Sequence, residues 1–151
     1  MPQQTPELAR RVVVGIDGSE CSKSALKWAM TYARLTGSSV EAITTWQNPD
    51  TYVYSYGWSP GAIDTSEIAA SIRKNLDAAI ADVSGHLDQP VEVLARVVQG
   101  HPAEVLLEAA AGAQLLTVGS RGHGTFAGIL LGSVSQHCVQ HAPCPVVVIP
   151  E

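Results

Sequence analysis

A regular alternation of short apolar runs with longer amphipathic segments is the feature that most restricts the fold of this chain. Unbroken apolar runs are typical of strands that are buried on both faces. Their alternation with amphipathic segments predicts a parallel sheet with helices on both faces, a doubly wound α/β fold. The predicted strands cover Arg10–Asp17, Ser39–Trp46, Val91–Gly100, Leu115–Gly119 and Pro145–Pro150.

Helix start and stop signals divide the amphipathic segments. Ser19 or Ser22 can cap the start of the first helix, and Gly37 can end it. The other helices are predicted to begin at Asp64–Glu67, at Pro102, which suits a first helical turn, and at Ser133. The third runs to about Ala111 and the fourth to about His141.

Composition supports a single packed domain. Of 151 residues, 46% are apolar but only 5% aromatic, so the core must be mostly aliphatic. We predict one domain over residues 11–150 and a flexible tail over residues 1–10, which lack the apolar centre of a signal peptide. Residues 47–63 combine proline, glycine and aromatic side chains without a period, and predict either a functional lid or a flap over the sheet edge.

Charge and cysteine content narrow the functional class. A net charge of −5 argues against nucleic-acid binding, and no apolar stretch reaches the roughly 18 residues of a membrane span. Three cysteines without a framework spacing indicate a reduced, cytoplasmic setting.

Two predicted strands end in polar glycine turns, "GIDGS" and "VGSRG". In a doubly wound sheet, ligands bind beyond the carboxyl ends of the strands, at the point where the strand order reverses. If these two strands are neighbours at that point, Asp17 and Gly119 face the same crevice.

The loop after the fourth strand has the composition of an anion site. Gly119 and Gly122 let the backbone approach a ligand, while Arg121 and His123 add cationic or hydrogen-bonding groups. Gly132–Ser133 then opens a helix, whose free amides and dipole favour an anion. The alternative is a loop whose glycines serve tight packing.

Familiar phosphate and catalytic motifs are missing from the sequence. It contains no "GK[ST]" of a Walker A loop, and "GSRGHG" follows the fourth strand rather than the first, unlike a dinucleotide fingerprint. No "GxSxG" elbow, "HExxH" or Cys/His signature is present, so an enzyme of high turnover is poorly supported.

The spacing Gly119-x-x-Gly122, nine residues, then Gly132–Ser133 resembles the G-2x-G-9x-G-[ST] pattern of ATP-binding universal stress proteins. "VVVGIDGSECSKSAL", "VVQGHPAEVLLEAA" and "HCVQHAPCPVVVIP" also resemble that family. The resemblance extends from Arg11 to Ile149, apart from the loop at 47–63.

The resemblance implies a Rossmann-like, adenine nucleotide alpha hydrolase-like sheet of order 3-2-1-4-5, with ATP and Mg²⁺ between strands one and four. Asp17 would lie near the ribose and a phosphate-bound Mg²⁺, and the backbone of Thr45 would read the adenine edge. Val118 and Gly100 would line the pocket, and Ser135 would add a phosphate-contacting hydroxyl. The remaining implied nucleotide-binding residues are Gly119, Arg121, Gly122, His123, Gly132, Ser133 and Val134.

The resemblance also implies a function and an assembly. It predicts a cytoplasmic, nucleotide-dependent stress sensor that dimerises through the edge strand Val146–Ile149. Two alternatives stay open: a slow ATPase or self-phosphorylating protein, modified at Ser120 or Ser133, and a binder of cyclic AMP or another adenine nucleotide. In the same way, Trp46, Trp58 and the tyrosines of the 47–63 loop (Tyr52, Tyr54, Tyr56) either stack on adenine or cover the sheet edge.

Two further groups have a structural and a chemical interpretation. His137 and His141 lie four residues apart, near Cys138 and Cys144, a spacing that can hold zinc but that also suits surface histidines. Cys21, at a predicted helix start, is either a redox-active thiol or a small buried side chain.

Overall fold

The structure, a computed structural model, describes residues 10–48, 64–122 and 131–151. The predicted tail up to residue 9, residues 49–63 of the predicted loop and His123 lie outside these ranges. Trp58 and the three tyrosines of that loop therefore lie outside them too.

The described strands form one parallel sheet, in which the strands, numbered along the chain, have the order 3-2-1-4-5, as predicted. The predicted first strand extends to Asp17, but the observed strand ends at Gly15 as the chain approaches a turn at Gly18, which has a φ of 85°. Pro145 and Pro150 flank the last strand instead of belonging to it, since proline has no N–H for the ladder. The strands are β1 (Arg11–Gly15), β2 (Ser39–Trp46), β3 (Val93–Gln99), β4 (Leu115–Gly119) and β5 (Val146–Ile149).

The described helices begin close to the predicted signals. Ser19, not Ser22, caps the first helix, and Gly37 ends it with a left-handed φ of 69°. Asp64 caps the second helix through the amide of Ser66. The helices are α1 (Glu20–Thr36), α2 (Thr65–Ser84), α3 (Pro102–Ala110) and α4 (Ser133–His141). None of them combines the length and apolarity that crossing a membrane requires.

Alternate residues of the central strands enter two separate cores. Val12 and Val14 of β1 pack with α1 residues such as Leu26 on one face. Val13 packs with Leu106 of α3 and other aliphatic residues on the opposite face. This division confirms the aliphatic, two-sided sheet that the composition predicts.

An ion-pair network at the opposite end of the sheet from the β-strand carboxyl ends fixes the position of α3. Glu41 is buried on β2 and pairs with Arg11 at 2.7 Å and with Arg96 on the other side. Arg11 also donates to the carbonyls of Ala109 and Ala111, at 2.7 and 2.8 Å. Because these carbonyls end α3, the network joins the C-terminus of this helix to the first three strands in the sheet order.

Candidate functional site

A cleft of about 340 Å³ opens beyond the carboxyl ends of β1 and β4. These two strands are neighbours, and the chain leaves them towards opposite edges of the sheet, so the cleft lies where the strand order reverses. Asp17 and Gly119 both line it, which confirms that the two glycine turns face one crevice.

Nearly all of the predicted site residues line this cleft. Gly100 does not: it follows β3, two strands away from the reversal, and its amide donates to the carbonyl of Trp46 at 2.9 Å. His123 lies outside the described residues. The predicted residues found in the lining are Asp17, Thr45, Val118, Gly119, Arg121, Gly122, Gly132, Ser133, Val134 and Ser135.

The lining also includes residues that sequence reasoning missed. Ile43 lies two residues before Thr45 on β2, so strand alternation places both on one face and was a usable signal. Pro102 and Leu106 of α3 carried no such signal, because their place in the lining depends on how α3 packs against the sheet. The missed residues are Gly15, Ile16, Ser22, Ile43, Pro102 and Leu106.

The cleft has an apolar wall and a polar wall. Ile16, Ile43, Leu106 and Val118 supply aliphatic surface, and the serines, the glycine turns and the start of α4 supply hydrogen-bonding groups. Among its described lining residues, Arg121 is the only cation, and Asp17, just after β1, is the only acid. This division suits a ligand with one apolar part and one anionic part.

The chain after β1 is stabilised by hydrogen bonds within its own turn. One carboxylate oxygen of Asp17 accepts from the backbone amide of Ser19 at 2.9 Å and from its hydroxyl at 2.5 Å. The Ser19 hydroxyl in turn accepts from the amide of Ser22 at 3.2 Å. Asp17 is exposed and therefore has both a structural role in this turn and access to the cleft.

The chain after β4 is joined to two other elements. The amide of Ser120 donates to the carbonyl of Ile149 at 2.8 Å, and the Ser120 carbonyl accepts from the amide of Gly132 at 2.6 Å. The buried hydroxyl of Ser135 donates to the same Ser120 carbonyl at 2.9 Å. Its proton therefore serves the backbone of the turn, which fixes the turn relative to the start of α4.

The glycines of the motif differ in what the fold requires of them. A Cβ at Gly119 would lie 2.8 Å from the sulfur of Cys21, and a Cβ at Gly122 would collide with the carboxylate of Asp17. At Gly132 the nearest neighbour would be 3.6 Å away, an ordinary contact, and φ of −70° with ψ of 167° suits any residue. Tight packing explains Gly119, where the Cβ would also lie 3.1 Å from the backbone of Cys21, whereas at Gly122 a Cβ would meet only the Asp17 side chain and at Gly132 it would meet ordinary contacts.

Within the part of the chain that the structure describes, helix α4 begins without a side chain that accepts its first amides. Its cap residue is Gly132, which makes no side-chain cap hydrogen bond. Ser133 and Val134, in the first turn, line the cleft. Helix α3 also lacks a side-chain cap, but its first residue is Pro102, which has no N–H to offer. The start of α4 thus presents a positive dipole end to the cleft, with amides that no described side chain accepts.

The cysteines and histidines of the described ranges are not among the residues that line the cleft. Cys21 is buried and its thiol donates to the carbonyl of Ile149 at 3.3 Å. Cys138 is fully buried, which raises the pKa of its thiol to about 11, whereas His137 and His141 are exposed with ring centroids 4.7 Å apart. Burial also raises the pKa of the Cys144 thiol. In the described ranges no three His, Cys, Asp or Glu side chains form a group that could hold a metal ion.

Comparison with known proteins identifies relatives of this chain. Universal stress protein Rv2623 of Mycobacterium tuberculosis is 33% identical over 150 residues, which is 99% of this chain and 46% of the relative. The chain spans about half the length of the curated relatives it matches.

Solved structures share the fold. A universal stress protein in complex with cAMP superposes with a TM-score of 0.65 at 26% identity, covering 93% of this chain and 96% of that one. A universal stress protein from Archaeoglobus fulgidus in complex with dAMP gives 0.65 at 20% identity, covering 92% and 96%. The model of the universal stress protein family matches residues 9–150. The chain therefore belongs to the universal stress protein family.

Proposed function

We propose that the cleft binds ATP, with Mg²⁺ on its phosphates, and that the nucleotide controls a regulatory rather than a metabolic activity. The observation that carries this proposal is the start of α4. It presents uncapped amides to the cleft beside Gly132, a glycine that the surrounding protein does not require. A phosphate group would use both the free donors and the space left by the missing Cβ.

The rest of the cleft suits a nucleoside. Ile43, Leu106 and Val118 offer aliphatic surface to a base, and Thr45 lies near the end of β2, where its backbone can meet a base edge. Arg121 adds a cation at the phosphate end. The solved relatives in complex with cAMP and dAMP show that this family includes adenine nucleotide binders, which supports an adenine base in this chain as well.

Asp17 is the residue that we propose for the metal. Mg²⁺ prefers anionic oxygen ligands and usually combines one or two carboxylates with substrate phosphates and water. One oxygen of Asp17 is engaged by Ser19, while the other lies beside Gly122, so the carboxylate is held at the phosphate loop. When bound, the metal would neutralise phosphate charge.

Assembly belongs to the same proposal. β5 is an edge strand of the sheet, and its four residues are all partly exposed. An open apolar edge favours pairing with another strand, so we propose a cytoplasmic homodimer that pairs through Val146–Ile149. Sedimentation should give about twice the 15.9 kDa chain mass. A monomer at about 100 μM would contradict the dimer without affecting the nucleotide site.

The decisive experiment is to identify and titrate the nucleotide. Protein purified without added ligand is denatured, and any released nucleotide is identified by mass. Calorimetry then compares ATP, AMP and cyclic AMP, and we expect ATP to bind in the micromolar range, about −8 kcal/mol at 1 μM. Preference for cyclic AMP would favour the alternative ligand, and failure of all three would reject an adenine nucleotide site.

The Mg²⁺ part has its own test. With Asn in place of Asp17, shape and most hydrogen bonds are kept but the charge is removed. If the carboxylate serves the metal, Asp17→Asn should reduce the gain in ATP affinity that Mg²⁺ gives. If it serves the ribose alone, affinities for ATP and AMP should fall together, with or without Mg²⁺. Wild-type binding of every nucleotide would show that Asp17 only stabilises its turn.

Slow turnover is a second candidate, and the structure distinguishes its two proposed serines. Ser133 is exposed and lines the cleft, whereas Ser120 is buried and is not among the lining residues. Self-phosphorylation should therefore occur at Ser133 if it occurs at either residue. Incubation with ATP followed by mass spectrometry would show a phosphopeptide, or ADP without one, and unchanged ATP would leave binding as the activity.

A further inference from the structure

The Arg121 guanidinium lies between the cleft and an acidic side chain of the protein itself. Arg121 lines the cleft, yet its Nη2 atom is 3.5 Å from Oε2 of Glu151. The two side chains are partly exposed, 32% for the arginine and 62% for the glutamate. A ligand phosphate would therefore meet an arginine that already has an anionic partner.

Sheet register determines this proximity. Gly119 of β4 pairs with Ile149 of β5, and the amide of Ser120 donates to the Ile149 carbonyl at 2.8 Å. Arg121 and Glu151 each lie two residues beyond that pair, so the two parallel strands place them next to each other. The position of Glu151 is thus linked to the phosphate loop through the backbone of the sheet.

The ion pair leaves Arg121 only partly satisfied. Its Nε atom is buried and has no hydrogen-bond partner among the described residues. A buried donor without a partner destabilises the protein, and a guanidinium can bind phosphate through two parallel N–H groups. A phosphate oxygen in the cleft would offer this arginine more than the single contact with Glu151 does.

We propose that Glu151 is a specificity-determining residue, which competes with the ligand phosphates for Arg121 and so reduces the advantage of ATP over AMP. This inference rests on the proposed adenine nucleotide site. The competition costs every anion some affinity, but it costs most for the ligand that interacts most strongly with the guanidinium. A triphosphate carries more charge than a monophosphate and loses more to the competitor.

A double-mutant cycle of Glu151→Gln and Arg121→Gln tests the competition by calorimetry with Mg-ATP and with AMP. Exposed ion pairs contribute little, so Glu151→Gln should tighten ATP binding about two- to fivefold and AMP binding less. Arg121→Gln should weaken ATP binding, and in that background Glu151→Gln should have little further effect. Added salt should shrink the gain of the single variant, since it screens exposed charges.

Glu108→Gln is the matched control. Glu108 is exposed near the end of α3, away from the cleft, and its replacement removes the same charge. Equal gains from Glu108→Gln and Glu151→Gln, or an undiminished Glu151→Gln gain without Arg121, would overturn the inference in favour of a general charge effect.

Inorganic triphosphate separates the inference from the proposed function. If no adenine nucleotide binds but Glu151→Gln still tightens triphosphate binding in an Arg121-dependent way, the proposed function fails and the competition holds. If nucleotides bind and Glu151→Gln changes nothing, the competition fails and the proposed function holds. If neither nucleotides nor triphosphate bind, both are rejected.

Discussion

Helices α1 and α4 both begin at the cleft, but only α1 is capped by its own chain. The Ser19 hydroxyl accepts a hydrogen bond from the amide of Ser22 at the start of α1, and the amide of Ser19 donates to the carboxylate of Asp17. At the start of α4 the cap residue is Gly132, and no described side chain caps this end. The same sheet edge therefore combines one helix end that the fold satisfies and one that it leaves open. We infer that the open end is the one selected for a ligand, since helix ends without partners carry a cost.

The difference between the two helix ends is tested most directly by giving α4 a side-chain cap like that of α1. Gly132→Asp fits the backbone, which is already extended, and its carboxylate can accept the free amides. We expect unchanged or slightly higher thermal stability, and ATP affinity lower by at least about 100-fold, or about 2.7 kcal/mol, because the carboxylate occupies the phosphate position. Calorimetry and a melting curve measure the two effects.

Gly132→Ala is the control for that variant, because it adds a Cβ without a charge. The new Cβ makes only ordinary contacts within the protein, so any loss of ATP affinity would indicate that the ligand lies against position 132. Wild-type ATP affinity in a folded Gly132→Asp protein would show that the phosphates lie elsewhere and that α4 begins uncapped for another reason.

The middle of helix α4 packs into the core through the buried thiol of Cys138, and pH offers a way to test that burial. Burial raises the pKa of Cys138 from 9.0 to about 11. The folded protein thus keeps the thiol proton at pH values where the unfolded chain loses it. The contribution of Cys138 to the free energy of unfolding is therefore present in full below pH 9. It should be lost between pH 9 and 11, by about 2 kcal/mol from this residue.

Urea unfolding at pH 8, 9, 10 and 11 measures this loss, with Cys138→Ala as the comparison. The variant starts less stable, because it leaves a small cavity, but its stability should fall less steeply with pH. Parallel curves for the two proteins would mean that Cys138 does not titrate differently in the folded state.

Capping of α1 should affect stability and not the ligand. Ser19→Ala removes the acceptor of the Ser22 amide and should lower the free energy of unfolding by about 1 kcal/mol. ATP affinity should stay close to wild type, since Asp17 still accepts from the backbone amide at position 19. Ser24→Ala, an exposed change within the same helix, should be neutral or slightly stabilising. A large loss of ATP affinity in Ser19→Ala would remove the distinction between the two helix ends.

The sequence predicted the sheet and the polar side of the cleft well, because both leave local signals. Unbroken apolar runs mark the strands, and glycine turns after β1 and β4 mark the loops that meet at the reversal of strand order. The strand order itself and the roles of Thr45 and Val118 came from family resemblance. Their chemical roles stay predictions, although the structure places both residues in the lining.

The apolar wall could not be predicted from local patterns. Leu106 enters the cleft because α3 is fixed at its other end by Arg11, which bonds the carbonyls of Ala109 and Ala111. That contact joins residues about a hundred positions apart and depends on the partner Glu41. Similarly, Ser135 looks like a phosphate ligand in the sequence, but its hydroxyl donates to backbone carbonyls of Ser120 and Gly132.

An unsatisfied polar atom is not by itself a sign of a ligand, and Thr117 sharpens the comparison on this point. Thr117 lies on β4, fully buried, and its hydroxyl has no hydrogen-bond partner among the described residues. Its register partners are Val14 and Val147, so its side chain lies in an aliphatic layer and not in the cleft. Unlike the amides at the start of α4, this donor has no route to a ligand.

Thr117→Val keeps the shape and removes the unsatisfied group, so it should raise the free energy of unfolding by about 0.5–1 kcal/mol and leave ATP affinity unchanged. Thr31→Val is the control, because the Thr31 hydroxyl is satisfied by the carbonyl of Lys27 at 2.8 Å and its removal should not stabilise the protein. Denaturant unfolding measures both variants, and a Thr117→Val protein less stable than wild type would show that the hydroxyl has a partner that stabilises the core.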